Sequence, residues 1–140
     1  MKERIVITAM LFLLASCKKE NATPVLGLTD QADTAAVAIK QGAFQNGPYG
    51  TVTGKAVLYR NNDGSFDILL ESFTSSNGPD LYVYLSREIM PVDFIQLDRL
   101  RSVTGNQLYR IPGSPDFAQY KYVNIHCRQY NHLFGYALLQ

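Results

Sequence analysis

Residues 51–73, TVTGKAVLYRNNDGSFDILLESF, decide the fold. Two β-rich runs, 51–59 and 66–73, flank Asn61-Asn62-Asp63-Gly64. Asn and Gly accept the positive φ that tight hairpin turns require, so the stretch reads as two strands folded back on each other. Downstream, Asn77-Gly78-Pro79-Asp80 forms a second turn, and Leu81-Tyr82-Val83-Tyr84-Leu85 follows as a strand. Residues 86–104 are the least strand-like. Met90-Pro91 and scattered charges predict a crossing loop there, with a helical turn over 94–100. Gln107 to Ile111 reads as a short strand ended by Pro112, and Ser114-Pro115-Asp116 as a turn. The last pair of strands is Tyr120 to Arg128 and Leu133 to Leu139, turning near Tyr130-Asn131. Upstream of Gly42 the chain is polar or small, and 17–40 reads as anchor and linker, with a short strand or helical turn over 34–39. About seven short strands and no long amphipathic period predict an all-β domain over 41–140. The expected architecture is an antiparallel, immunoglobulin-like β-sandwich.

The chain has 140 residues, with 13 basic against 12 acidic side chains. That near-balance gives no electrostatic footprint for nucleic acid. The first residues are different in character. Lys2 and Arg4 precede an apolar run, Ile5 to Ala15, too short to span a bilayer but of signal-peptide length. The run ends in Leu14-Ala15-Ser16-Cys17, which resembles the bacterial lipobox. A peptidase needs small side chains before the cut, and only a thiol forms the thioether to diacylglycerol. Residues 1–16 are therefore expected to be a lipoprotein signal peptide and Cys17 the lipidated residue. Acyl chains, at about 0.8 kcal/mol per buried CH₂, would then tether the protein to a membrane. Lys18, rather than Asp, follows that cysteine, which favours the outer membrane of the cell envelope. Removing the first 16 of 140 residues leaves 124, a single-domain length. With Cys17 consumed, Cys127 has no partner for an internal disulfide.

The segments GAFQNGPYGTVTGKAVLY, FDILLESFTSSNGPDLYVYLS, TGNQLYRIPG and YKYVNIHCRQYNHLFGYALL stand in the order and spacing of the DM-thirteen, or electron-transfer DM, domain, which this chain resembles from Gly42 to Gln140. The resemblance implies a DOMON-like β-sandwich with one signature cysteine, proposed in that family to work in electron transfer as a bare thiol or as a haem ligand. That cysteine falls on Cys127. Haem is thus the cofactor the resemblance implies, and the partner an unidentified redox or other protein. The residue before the signature cysteine is usually aromatic in the family, whereas here it is His126.

Read from the residues themselves, Cys127 has two accounts. Alternation puts Val123, Ile125 and Cys127 on one apolar face, and a free cysteine there is commonly a small buried hydrophobe. With the turn at Tyr130-Asn131, Cys127 is expected opposite Phe134, Ile125 opposite Tyr136 and Val123 opposite Leu138. Tyr122, Asn124, His126 and Arg128 take the other face, so His126 is expected on the surface. From opposite faces of one strand, His126 and Cys127 cannot bind one iron; His132 or Met90 would have to supply a second haem ligand. Two histidines without carboxylates at ligand spacing give no zinc site, and no metal is expected. No catalytic signature such as GxSxG or HExxH appears, and the chain reads as an electron-transfer component rather than an enzyme in its own right. The alternative is a non-catalytic binding module in which Cys127 only packs. An intermolecular disulfide through Cys127 is disfavoured by its inward phase.

Overall fold

The computed structural model describes residues 22–140. The expected signal peptide and Cys17 lie outside the described residues. The strands are β1 (Leu28–Thr29), β2 (Val37–Asn46), β3 (Val52–Arg60), β4 (Phe66–Ser75), β5 (Leu81–Ser86), β6 (Phe94–Arg99), β7 (Thr104–Ile111), β8 (Tyr122–Cys127) and β9 (His132–Leu138). Among the described residues there is no helix.

The β3–β4 hairpin forms as its sequence predicts. Arg60 pairs with Phe66, Gly64 takes φ +82°, and its N–H donates to the Asn61 carbonyl at 3.0 Å. The all-β expectation holds, but the two-layer sandwich does not. All nine strands belong to one sheet in the order β1-β7-β4-β3-β2-β9-β8-β5-β6, curled into a half-barrel. The reason lies in β2. From Val37 to Ala43 it pairs with β3, and from Phe44 to Asn46 with β9, so one continuous strand carries the sheet around the corner where a sandwich would have a gap. Gly42 permits the bend, since a Cβ there would collide with the Leu138 carbonyl.

Two of the nine strands were not expected. The segment expected to be a crossing loop with a helical turn over 94–100 instead forms β6, an edge strand that pairs with β5 and sets Ile95 and Leu97 against the core. β1 pairs with β7 in parallel, so the sheet is mixed rather than antiparallel. β1 and the first residues of β2 come from the stretch read as linker.

Inside the curl lies one core, built by alternate residues of the long strands. Ala56 and Leu58 of β3, Ile68 and Leu70 of β4, Val83 and Leu85 of β5, and Val123 and Ile125 of β8 are all fully enclosed. One end of the half-barrel gathers segments 22–27, 47–51, 76–80, 100–103 and 128–131. The other gathers 61–65, 87–93 and 112–121.

Candidate functional site

β8 carries the sequence Tyr122-Val123-Asn124-Ile125-His126-Cys127. Its inward residues behave as the alternation predicts, and Cys127 is 1% exposed within the core. It is the free cysteine among the described residues. The register differs from expectation. Cys127 stands opposite His132, His126 opposite Leu133, Ile125 opposite Gly135 and Val123 opposite Ala137, with an irregularity between Ile125 and His126. The turn is therefore the four residues Arg128–Asn131, closed by Asn131 at φ +53°. Met90 sits in the loop after β5, whereas Cys127 pairs with Leu81 at the start of that strand. Six residues of strand, about 20 Å at the usual rise, separate them, so Met90 cannot share a ligand with Cys127.

The outward residues of β8 overturn the expectation of a surface face. Asn124 is fully buried and His126 is 3% exposed. What covers them is the connection between β5 and β6. Asn124 donates through Nδ2 to the Ile89 carbonyl at 2.8 Å, and the Ser86 hydroxyl lies 2.6 Å from both Asn124 Oδ1 and the Glu88 carbonyl. Those bonds fold the loop over the sheet. Tyr84, on the same face of β5, stacks on Phe94 with ring centroids 4.2 Å apart, and its ring lies 5.4 Å from the His126 imidazole. The result is a second, smaller interior on the convex side, made of aromatic rings and satisfied amides. It has a sequence signal: in Leu81-Tyr82-Val83-Tyr84-Leu85 no position alternates to a charged or small polar residue, the mark of a strand buried on both faces.

His126 Nε2 lies 3.0 Å from Asn131 Oδ1. An amide oxygen only accepts, so Nε2 carries the proton and Nδ1 holds a lone pair. Nδ1 is buried and has no partner. Burial pushes the imidazole below the ordinary histidine value; the Asn131 bond opposes that shift and neighbouring His132 adds to it. His126 is therefore a neutral, tautomer-fixed histidine that ties β8 to its own turn. Burial likewise raises Tyr84, against the pull of Arg128. Beside this cluster the Arg128 guanidinium lies over the Tyr82 ring at 4.3 Å and reaches Asp80 Oδ2 at 3.4 Å. His132 stacks face to face on Tyr49 at 3.6 Å.

The setting of Cys127 can be tested against the haem that its signature position implies. A porphyrin needs an open apolar slot with the sulfur at its wall. Here the sulfur belongs to the same closed cluster as Leu81, Ile125 and Phe134, with no exposed face to present. The residues present do not fit haem ligation by Cys127. Among the described residues, no group of three His, Cys, Asp or Glu side chains could hold a metal ion.

The polar turns resolve as backbone devices. Asn77 Oδ1 accepts from the N–H groups of Thr23 and Gly78, and its Nδ2 donates to the Thr23 carbonyl. Buried Gln107 accepts from the Ser102 N–H and the Tyr109 hydroxyl and donates to the Ser102 carbonyl. At the other end, a cleft lined by Asp33, Asn61, Asp63, Asp67 and Arg110 is likewise spent on turns and on the Asp67–Arg110 ion pair at 2.7 Å.

Comparison with known families gives one match: the model described as electron transfer DM13 covers residues 43–139, from within β2 to just past β9. No curated protein and no solved structure matches.

Proposed function

The chain belongs to the electron transfer DM13 family, and from that premise we propose that it is an electron-transfer module of the bacterial cell envelope in which Cys127 is the working thiol. Residues 1–16 are its signal peptide, and lipidated Cys17 holds it at the outer membrane. The observation that carries the proposal is the position of Cys127. It is the last residue of β8, directly before the Arg128–Asn131 turn and next to the irregularity in the β8–β9 ladder. The sulfur is closed off in the folded state, yet a fraying of this one turn would open it without dismantling the core.

The chemistry in view is thiol–disulfide exchange with an envelope protein that carries a disulfide. The Cys127 thiolate attacks one partner sulfur, a mixed disulfide forms, and the second partner sulfur leaves as a thiolate. A dithiol donor then attacks the Cys127 sulfur and releases the partner's second thiolate, and the donor's other thiol resolves the new mixed disulfide. This leaves the donor a disulfide, the partner a dithiol and Cys127 a free thiol, so two electrons pass from donor to partner. Trapping tests it. The lipidated protein should form a mixed disulfide at Cys127 with a small disulfide reagent under native conditions, and Cys127→Ser should abolish electron exchange. If native Cys127 reacts no faster than global unfolding permits and Cys127→Ser keeps full activity, the thiol role is wrong.

The 1% exposure of Cys127 favours a second reading, in which the cysteine only packs and the module binds a partner through its surface. Then Cys127→Ala lowers stability while partner binding is retained.

A further inference from the structure

We propose that the end of the half-barrel carrying Tyr49 and Tyr130 lies against the membrane surface, in contact with phospholipid headgroups. The inference rests on the lipid anchor at Cys17 proposed above. Its geometry comes from where the described chain begins. Thr23 is pinned: its N–H donates to Asn77 Oδ1 at 3.0 Å, its carbonyl accepts from Asn77 Nδ2 at 2.9 Å, and the Pro24 carbonyl accepts from the Val103 N–H at 2.9 Å. Six residue steps separate Cys17 from Thr23, a reach of about 20 Å when fully extended. The ten residues of β4 span about 33 Å. An anchor that short cannot carry the opposite end of the barrel to the bilayer; it draws the near end down.

The near end is built for such a surface. Val25 and Leu26, beside the pinned residues, and Tyr49 and Tyr130, on two neighbouring turns, are all more than half exposed. Tyrosines with an apolar ring and a polar tip prefer the headgroup level. They are not floppy: His132 stacks on Tyr49 at 3.6 Å and lies 5.9 Å from the Tyr130 ring. Charge agrees. The connecting segments of the near end carry Arg101 and Arg128 against Asp80, with Arg99 at their border and Asp30 paired to Arg101. Those of the far end carry Asp33, Asp63, Glu88, Asp93 and Asp116 against Arg87 and Lys121, with Arg60 at their border. An anionic bilayer therefore attracts the first and repels the second.

The far end competes for the same role, because Ile89, Met90, Val92 and Phe94 are also exposed. Its carboxylates and its distance from Thr23 turn it away from the bilayer. The chain has no tryptophan, so single introduced tryptophans report each end separately. Full-length Tyr130→Trp, Tyr49→Trp and Val92→Trp proteins would be processed in a bacterial host and returned to vesicles of zwitterionic phospholipid with a minority of phosphatidylglycerol. Mass spectrometry of the N-terminal peptide reads acylation, and lipids brominated near the headgroup read contact. Tyr130→Trp, or Tyr49→Trp should the first fold poorly, should lose emission about two-fold on switching to brominated lipid, as a ring at headgroup level does, while Val92→Trp keeps its emission. Acylated protein in which Val92→Trp is quenched, or neither end is, overturns the orientation and leaves the anchor standing. Protein that is not acylated at Cys17 overturns the anchor and the orientation with it.

Discussion

Replacing Cys127 with serine and, separately, with alanine separates a packed sulfur from an accessible one. The thiol is 1% exposed on the apolar face of β8, among Leu81, Ile125 and Phe134. Alanine removes one buried heavy atom and leaves a small void. By analogy with other single-group deletions the cost is about 0.5–1.5 kcal/mol. Serine nearly conserves the volume but places a hydroxyl where the neighbouring side chains are hydrocarbon, at about 1–3 kcal/mol for the unpaired group. Serine should thus be the more damaging of the two, although it is the closer isostere. Urea unfolding at fixed pH reads both differences from the midpoint, provided the slope is unchanged. A matching experiment uses the wild type: the rate at which a disulfide reagent labels native Cys127, divided by the rate in denaturant, gives the free energy of the opening that exposes it. Fraying of the Arg128–Asn131 turn predicts labelling that is slow but far faster than global unfolding allows, since local openings cost much less than the whole domain. Serine equal to or better tolerated than alanine, or labelling at the denatured rate, would show that the sulfur is not enclosed as described.

Three further outcomes are expected. Gly42→Ala drives a Cβ into the Leu138 carbonyl at the bend of β2, and should cost about 3 kcal/mol, the upper range for overpacking, seen as a large fall in the thermal midpoint or loss of soluble protein. Asp67→Ala removes the nearly buried carboxylate that accepts from Asn61 Nδ2 at 2.7 Å and pairs with Arg110, whose exposed head can resolvate; about 1–2 kcal/mol should be lost in urea unfolding. His126 gives a pH signature. Its folded pKa lies below its unfolded one, so the unfolded state takes up the proton first; its contribution is fully present above the unfolded value and is lost progressively as pH falls toward the folded one. The urea midpoint should therefore drop on going from neutral pH to mildly acidic pH, above the range where Asp30 and Asp63, both held below the usual carboxylate value, begin to protonate. In His126→Phe that acid slope should vanish; if it persists unchanged, another group is responsible.

The hairpin over 51–73 was legible because its signal is local: two β-rich runs and, between them, a turn whose residues accept positive φ. The inward phase of Val123, Ile125 and Cys127 was legible for the same reason. Sheet closure was not, because it depends on β2 changing partner at Gly42–Phe44, and a period of two is identical in a sandwich and a curled sheet. β6 was missed because Met90-Pro91 disrupts the pattern just before it, although Ile95 and Leu97 do alternate with Gln96 and Asp98. The β8–β9 register was missed because Val123 and Ile125 already stand one residue from their expected partners and the irregularity between Ile125 and His126, which the sequence does not announce, adds a second step, so that Cys127 faces His132 rather than Phe134.

His126 is the instructive error, since the rule used for it was right and the inference from it was not. Alternation correctly sent His126 to the face opposite Cys127, but that face is solvent only where nothing covers it. Asn124 and Ser86 bind the Ile89 and Glu88 carbonyls and bring the loop down over β8, and Tyr84 with Phe94 seals the side. Both faces of β8 are therefore interior, one hydrocarbon and one aromatic and amide. This separates the two residues that looked most alike in chemical promise: no single atom can touch both His126 and Cys127. What they share is the Arg128–Asn131 turn, which His126 holds through Asn131 and which Cys127 precedes. The turn is thus tied from the face of the strand opposite the sulfur, through the bond from His126 Nε2–H to Asn131 Oδ1.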